Sequence, residues 1–183
     1  MDGVLDFIFV LYFASHIPVT ILIDSQILLP NRLFPETLLD VVNWYSRELK
    51  DPAIIERPSW FLSLIGCELA FQLPFFFFAL YAFWKGYSKN RWIRIPAIIY
   101  SSHVATTLVP IFAHLFFNDF TRSQVAGAGA IAGPETLTEK LILFGIYAPY
   151  FVVPMMLLCK MLFETEPLTA TYERDRLTKL KNK

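Results

Sequence analysis

Four long apolar runs, separated by shorter polar stretches, set the layout of this chain. They cover Phe7 to Ile23 and on to Leu29, Trp60 to Phe83, Ile95 to about Phe117, and about Leu141 to Leu162. A helix needs roughly 20 apolar residues to cross a bilayer core, so the pattern predicts an all-α, four-helix transmembrane bundle. The first run is not a signal peptide: Asp2 and Asp6 stand where a positive region would be, and no small-residue cleavage site follows. From Pro30 to Pro58 the pattern turns amphipathic. Leu38, Leu39, Val41, Val42, Trp44 and Tyr45 face one way, with Glu36, Asp40, Arg47, Glu48 and Lys50 on the wetter side. This spacing predicts a short interfacial helix, punctuated by Asp51-Pro52 and Arg57-Pro58, that caps the bundle as a lid. Asn118 to Thr138 reads as a Gly/Ala-rich loop. Residues 1–163 form the membrane domain and 164–183 a charged tail.

Polar residues inside the runs carry the chemistry. His16, Thr20 and Asp24 recur every four residues in the first run and form one stripe. Glu68 is the only charge in the second run, and Gln72 follows one turn later on the same face. Pro74 has no N–H for the carbonyl of Ala70. The third run carries Tyr100, His103, Thr107 and His114, the fourth Tyr147 and Tyr150. Every run also holds proline: Pro18, Pro74, Pro110, and Pro149 with Pro154. Kinked helices around intramembrane polar groups predict a bundle that bulges to make a lipid-accessible internal pocket. The plainer reading of the same prolines is irregular packing.

If the first two helices are antiparallel neighbours, Asp24 and Glu68 lie at similar depth. Two carboxyls in hydrogen-bonding range at low dielectric cannot both ionise cheaply, so such a pair shares one proton. A site with one net negative charge in an aromatic pocket suits a protonated amine with an apolar body; it also suits proton delivery to a ring carbon. The structural alternative for Asp24 is a helix end reached by water, and for Glu68 a protonated carboxyl tying two helices together. His16 and His103 line the pocket or bridge to neighbouring backbone. Tyr150 is the better of the two candidate tyrosine hydroxyls, and His114 reads as interfacial.

Composition narrows the classes. At 55% hydrophobic and 17% charged residues, the chain is too apolar for an ordinary soluble domain. Zero formal net charge gives no field for nucleic acid. Cys67 and Cys159 sit inside apolar runs as packing residues, and no Cys/His spacing suggests zinc; no cofactor or metal is expected. Trp44, Trp60, Trp84 and Trp92 read as interface anchors. Lys85, Lys89, Arg91 and Arg94 crowd the short second connection, and the tail is basic, which predicts both termini in the cytosol. Lys179 and Lys181 fit a dilysine retrieval signal.

Several segments, in one order across most of the chain, resemble the emopamil-binding-protein-like (EXPERA) family. They are Leu11-Tyr12-Phe13-Ala14-Ser15-His16-Ile17-Pro18, Cys67-Glu68-Leu69-Ala70-Phe71-Gln72-Leu73-Pro74-Phe75-Phe76, Pro96-Ala97-Ile98-Ile99-Tyr100-Ser101, Pro134-Glu135-Thr136-Leu137 and Tyr147-Ala148-Pro149-Tyr150. The resemblance implies four helices around a lipid-facing cavity. It makes Asp24 the amine-binding acid, with Glu68 hydrogen-bonded to it, and His16, Gln72, Thr107 and Tyr150 pocket positions. Asp51 matches an acidic lid position. It further implies sterols, oxysterols and cationic amphiphilic amines as ligands, and a homodimer of the endoplasmic reticulum membrane linked to cholesterol handling. The Niemann–Pick C type 1 cholesterol transporter is the implied partner. A binding and regulatory protein is therefore expected, with a sterol double-bond isomerase, using the Asp24/Glu68 pair as acid and His16 or His103 as base, as the alternative.

Overall fold

A computed structural model describes residues 3–120, 133–164 and 180. Four helical stretches are long and apolar enough to cross a membrane: Val4–Ile27, Ser59–Trp84, Arg91–Phe117 and Leu137–Leu162. The protein is thus a multi-pass, all-helical membrane protein, and among the described residues there is no strand. The two lysines of the candidate retrieval signal, Lys179 and Lys181, and most of the Gly/Ala-rich connection, residues 121–132, lie outside the described residues.

The first span is α1 (Val4–Leu22) followed by a 3-10 turn, Asp24–Ile27. The helix starts earlier than the apolar run suggested, because Asp6 is not an exposed cap. Its side chain is fully buried. The turn at the far end is tied by side chains that satisfy carbonyls a helix end leaves open. Ser25 Oγ donates to the Ile21 carbonyl at 2.6 Å, and Gln26 Nε2 donates to those of Leu22 and Leu38.

The lid is α2 (Glu36–Leu49) and α3 (Pro52–Glu56). Lys50 (φ 51°) and Arg57 (φ 47°) bracket α3 in the left-handed region, which side chains other than glycine enter at a cost. Between them Asp51 caps α3, accepting from the Ala53 N–H at 3.0 Å, with Pro52 at the first helical position.

The second span is α4 (Ser59–Cys67), a π-helical turn over Glu68–Gln72, and α5 (Leu73–Trp84). Pro74 explains the turn. It cannot donate to Ala70, its ring crowds that carbonyl, and the Leu73 N–H reaches five residues back to Glu68. Such turns occur frequently at functional sites. The wider turn holds both Glu68 and Gln72 toward the same cavity.

The third span ends in α6 (Arg94–Phe117), and the fourth is α7 (Leu137–Leu162). The loop expected as far as Thr138 ends sooner. Thr136 accepts from the Glu139 N–H at 3.2 Å, and Glu139 Oε2 accepts from the Thr136 N–H at 3.0 Å. This reciprocal cap starts α7 four residues before the apolar run does.

Helix α1 packs chiefly on α5, and α6 on α7. The seam is aromatic: Phe9, Phe13, Phe76 and Phe83 have no exposed surface, and Tyr100 stacks on Phe75 with centroids 4.5 Å apart. The outer faces leave Phe71, Phe78, Ile99 and Val109 exposed, as lipid contact requires. At one end the bundle is clamped by charge. Lys160 pairs with Asp6, and its ammonium lies over the rings of Phe9, Phe83 and Tyr87 at 5.6, 5.8 and 5.2 Å. The Tyr87 N–H donates to the other Asp6 oxygen at 3.3 Å. Arg94 donates to the Met161 and Glu164 carbonyls at the end of α7.

Candidate functional site

A cavity of about 320 Å³ opens between the lid and the spans, within the roughly 300–1,000 Å³ usual for ligand sites. All six residues singled out from the sequence line it: His16, Asp24, Glu68, Gln72, Thr107 and Tyr150. His103 does not; it lies on α6 one turn before Thr107 with its Nε2 buried. Trp44 does line it, from the lid, in addition to its exposure as an interface residue. Trp60 is not simply interfacial either: it packs edge-on against His114, centroids 5.3 Å apart. His114 Nε2 is 3.9 Å from Glu56, which joins α6 to the lid.

The acid pair has partners that the stripe did not name. One donor atom each of His16, Asp24 and Glu68 comes within 4.8 Å of the others, so the two carboxyls are neighbours as the antiparallel argument required. Glu68 Oε1 also accepts from the Thr20 hydroxyl at 2.7 Å and lies 3.5 Å from His16 Nε2. The Asp24 side chain accepts from no N–H or hydroxyl and meets no lysine or arginine among the described residues. The physical reason is the geometry of the stripe. His16 and Thr20 are on the regular helix facing Glu68, whereas Asp24 begins the 3-10 turn and leaves that register. Thr20 was visible as a stripe member, but its partner lies 48 residues away and local spacing does not name it.

The His16 ring is held by its aromatic neighbours. It stacks on Phe76 at 4.6 Å, and Tyr150 lies 4.8 Å away. Thr107 donates its hydroxyl to its own helix, to the Val104 carbonyl at 2.9 Å, which leaves the oxygen free only to accept. Gln72 and Tyr150 line the cavity without a side-chain hydrogen bond among the described residues. The same trio of His16, Asp24 and Glu68 is the one group of potential metal donors gathered among the described residues. Around them the wall is apolar, with Ile23, Ile65, Val104 and Leu108.

The lid is pinned over this cavity. Tyr147 donates to Asp51 Oδ2 at 2.7 Å, and Tyr45 to the same oxygen at 3.2 Å. Tyr147 therefore spends its hydroxyl on the lid. Burial pushes the Asp51 carboxyl up, against the pull of Tyr147, the Ala53 N–H and Tyr45. Burial, with Asp51 beside it, also raises the Tyr45 hydroxyl, so that Tyr45 stays a donor. A half-exposed Lys50–Glu139 pair at 2.9 Å joins the lid to the start of α7.

A four-span bundle with a π-helical turn in its second span and an acid pair in a lidded apolar cavity defines a class of membrane protein, and the sequence profile of that class matches. The chain belongs to the EXPERA (EXPanded EBP superfamily) family, whose profile matches residues 37–161. It is similar to "Sigma intracellular receptor 2" of Xenopus tropicalis, 49% identical over 159 residues (87% of this chain and 88% of that protein). It is 50% identical to the protein of the same name from Homo sapiens over 154 residues, 83% of this chain and 84% of that one. More distantly it is similar to "Efficient mitochondria targeting-associated protein 19" of Saccharomyces cerevisiae, at 26% over 154 residues, 80% of this chain and 90% of that one.

Proposed function

We propose that this protein is an intracellular membrane receptor whose cavity takes cationic amphiphilic amines, sterols and oxysterols, and that occupancy regulates cholesterol handling. The observation that carries the reading is Asp24: a carboxyl beside a second carboxyl and the His16 imidazole, in an apolar cavity, with no N–H or hydroxyl bonded to its side chain and no lysine or arginine paired with it among the described residues. An ammonium group is the complement of that arrangement, and the aromatic wall holds the rest of the ligand. The receptor names of the relatives at about half identity agree with a non-catalytic role. Residence in the endoplasmic reticulum membrane with cytosolic termini, homodimer formation, and partnership with the Niemann–Pick C type 1 cholesterol transporter complete the proposal.

Binding of N-(3-phenylpropyl)piperidine to protein in lipid nanodiscs tests the anchor. Asp24→Asn is expected to abolish it, and retained affinity removes Asp24 from that role. A second reading has its own support. His16 Nε2 lies 3.5 Å from Glu68, so a carboxyl donor and an imidazole acceptor share one wall, as a sterol double-bond isomerase needs. Expression in an isomerase-deficient yeast strain decides between the two. No growth without added sterol supports the receptor; growth establishes the isomerase.

A further inference from the structure

Thr20 has no exposed surface and does not line the cavity. A helical threonine hydroxyl commonly returns to a carbonyl of its own helix, as the cavity-lining Thr107 and the exposed Thr106 do here at 2.9 and 2.7 Å. Thr20 instead donates across to α4–α5, at 2.7 Å, to one oxygen of Glu68. His16 Nε2 approaches that same oxygen. Two of the three stripe residues thus converge on Glu68 Oε1.

That convergence has a chemical consequence. Thr20 has one proton to give, and giving it to Oε1 requires that this oxygen accept. Any proton held by the acid pair then sits on the other Glu68 oxygen or on Asp24. The π-helical turn gives Glu68 no backbone partner for its side chain among the described residues, so the Thr20 hydroxyl is the contact that fixes the carboxyl's rotation about its stem.

We propose that Thr20 is a positioning residue of the ligand site: its hydroxyl holds Glu68 so that the free oxygen of that carboxyl, together with Asp24, meets the ligand's cationic group. The proposal rests on the amine-site reading above. It makes Thr20 specific for charge, because its hydroxyl acts through the Glu68 carboxyl and Thr20 itself does not line the cavity. The titratable groups near the pair are His16 and Tyr12 on α1, Tyr45 on α2, Tyr100 on α6, and Tyr147 and Tyr150 on α7. None of them hydrogen-bonds Glu68 in place of Thr20.

The test compares Thr20→Val, which keeps the shape and removes the hydroxyl, with Thr20→Ser, which keeps the hydroxyl. Full-length protein in nanodiscs is titrated with N-(3-phenylpropyl)piperidine and with its neutral carbon isostere, (3-phenylpropyl)cyclohexane. Loss of a hydrogen bond to a charged group predicts about tenfold weaker amine binding in Thr20→Val. Thr20→Ser is expected to bind as wild type does, and the carbon isostere to bind both variants equally. Wild-type amine affinity in Thr20→Val, or an equal loss for amine and isostere, overturns the proposal. A double-mutant cycle of Thr20→Val and Glu68→Gln on thermal stability without ligand separates the two readings. If wild type binds no amine, the amine-site reading fails; a coupled cycle then still establishes Thr20 as Glu68's holder, and an additive one removes that too.

Discussion

Asp6 and Asp24 stand 18 residues apart near opposite ends of the same span, and the protein treats them oppositely. Asp6 is fully buried, pairs with Lys160, and accepts the Tyr87 N–H, while three aromatic rings surround the lysine ammonium. Asp24 has a carboxyl neighbour and an aromatic-lined cavity but no lysine among the described residues. The Asp6 end shows how this bundle accommodates a cation when the cation is its own. The Asp24 end has the carboxylate and the rings, and leaves the cation to come from outside. Asp51 falls between them: it is buried and answered by two tyrosine hydroxyls and a backbone N–H instead of a charge.

This ordering is open to measurement by unfolding the three Asp→Asn variants in matched detergent. Asp6→Asn leaves Lys160 without its counter-charge. Removing one partner of a buried pair costs about 3–5 kcal/mol, and the 21% of the Lys160 side chain still exposed puts the expectation at the low end, about 3 kcal/mol. Replacing Lys160 by Met as well should recover part of that loss. Asp51→Asn weakens hydrogen bonds to an ionisable acceptor and is expected to cost about 1–3 kcal/mol, with faster amide exchange confined to residues 36–57. Asp24→Asn should leave stability within about 0.5 kcal/mol of wild type or raise it, since the carboxyl has no partner to lose. Equal losses for Asp6→Asn and Asp24→Asn would erase the distinction between the two ends.

A smaller effect sharpens the place of Asp51. Its folded pKa is raised by burial, so the stability it lends is fully present below the ordinary aspartate value and is lost as pH rises through the raised one. Lid amides, corrected for intrinsic exchange, should therefore be better protected in acid than at neutral pH. Asp51→Asn should flatten that dependence, and an unchanged slope would assign it to another group.

Local pattern made the spans, the lid and the wall of the cavity legible, because each depends on residues near in sequence. Pro74 foretold a freed carbonyl; the π-helical turn that resulted was not foreseen, since a missing donor does not say which amide reaches back instead. Thr136 and Glu139 carried a reciprocal cap, but the apolar run begins later and drew the helix start toward Leu141. The contacts that decide charge were the least legible. Lys160 meets Asp6 across 154 residues, Tyr147 meets Asp51 across 96, and Thr20 meets Glu68 across 48. No period along one helix encodes such partners, so the hydroxyl beside Glu68 is found only in the fold, whereas its acid neighbour, Asp24, follows from the two spans being antiparallel.

The account turns on an external cation at Asp24, and a structure of the protein with bound N-(3-phenylpropyl)piperidine tests this most directly. The piperidine nitrogen is predicted about 2.7–3.2 Å from an Asp24 carboxylate oxygen, the range of a charge-assisted hydrogen bond, with the phenyl ring against the apolar wall under the lid. A nitrogen held elsewhere in the cavity, more than about 5 Å from both Asp24 and Glu68 and so beyond direct pairing, would contradict it.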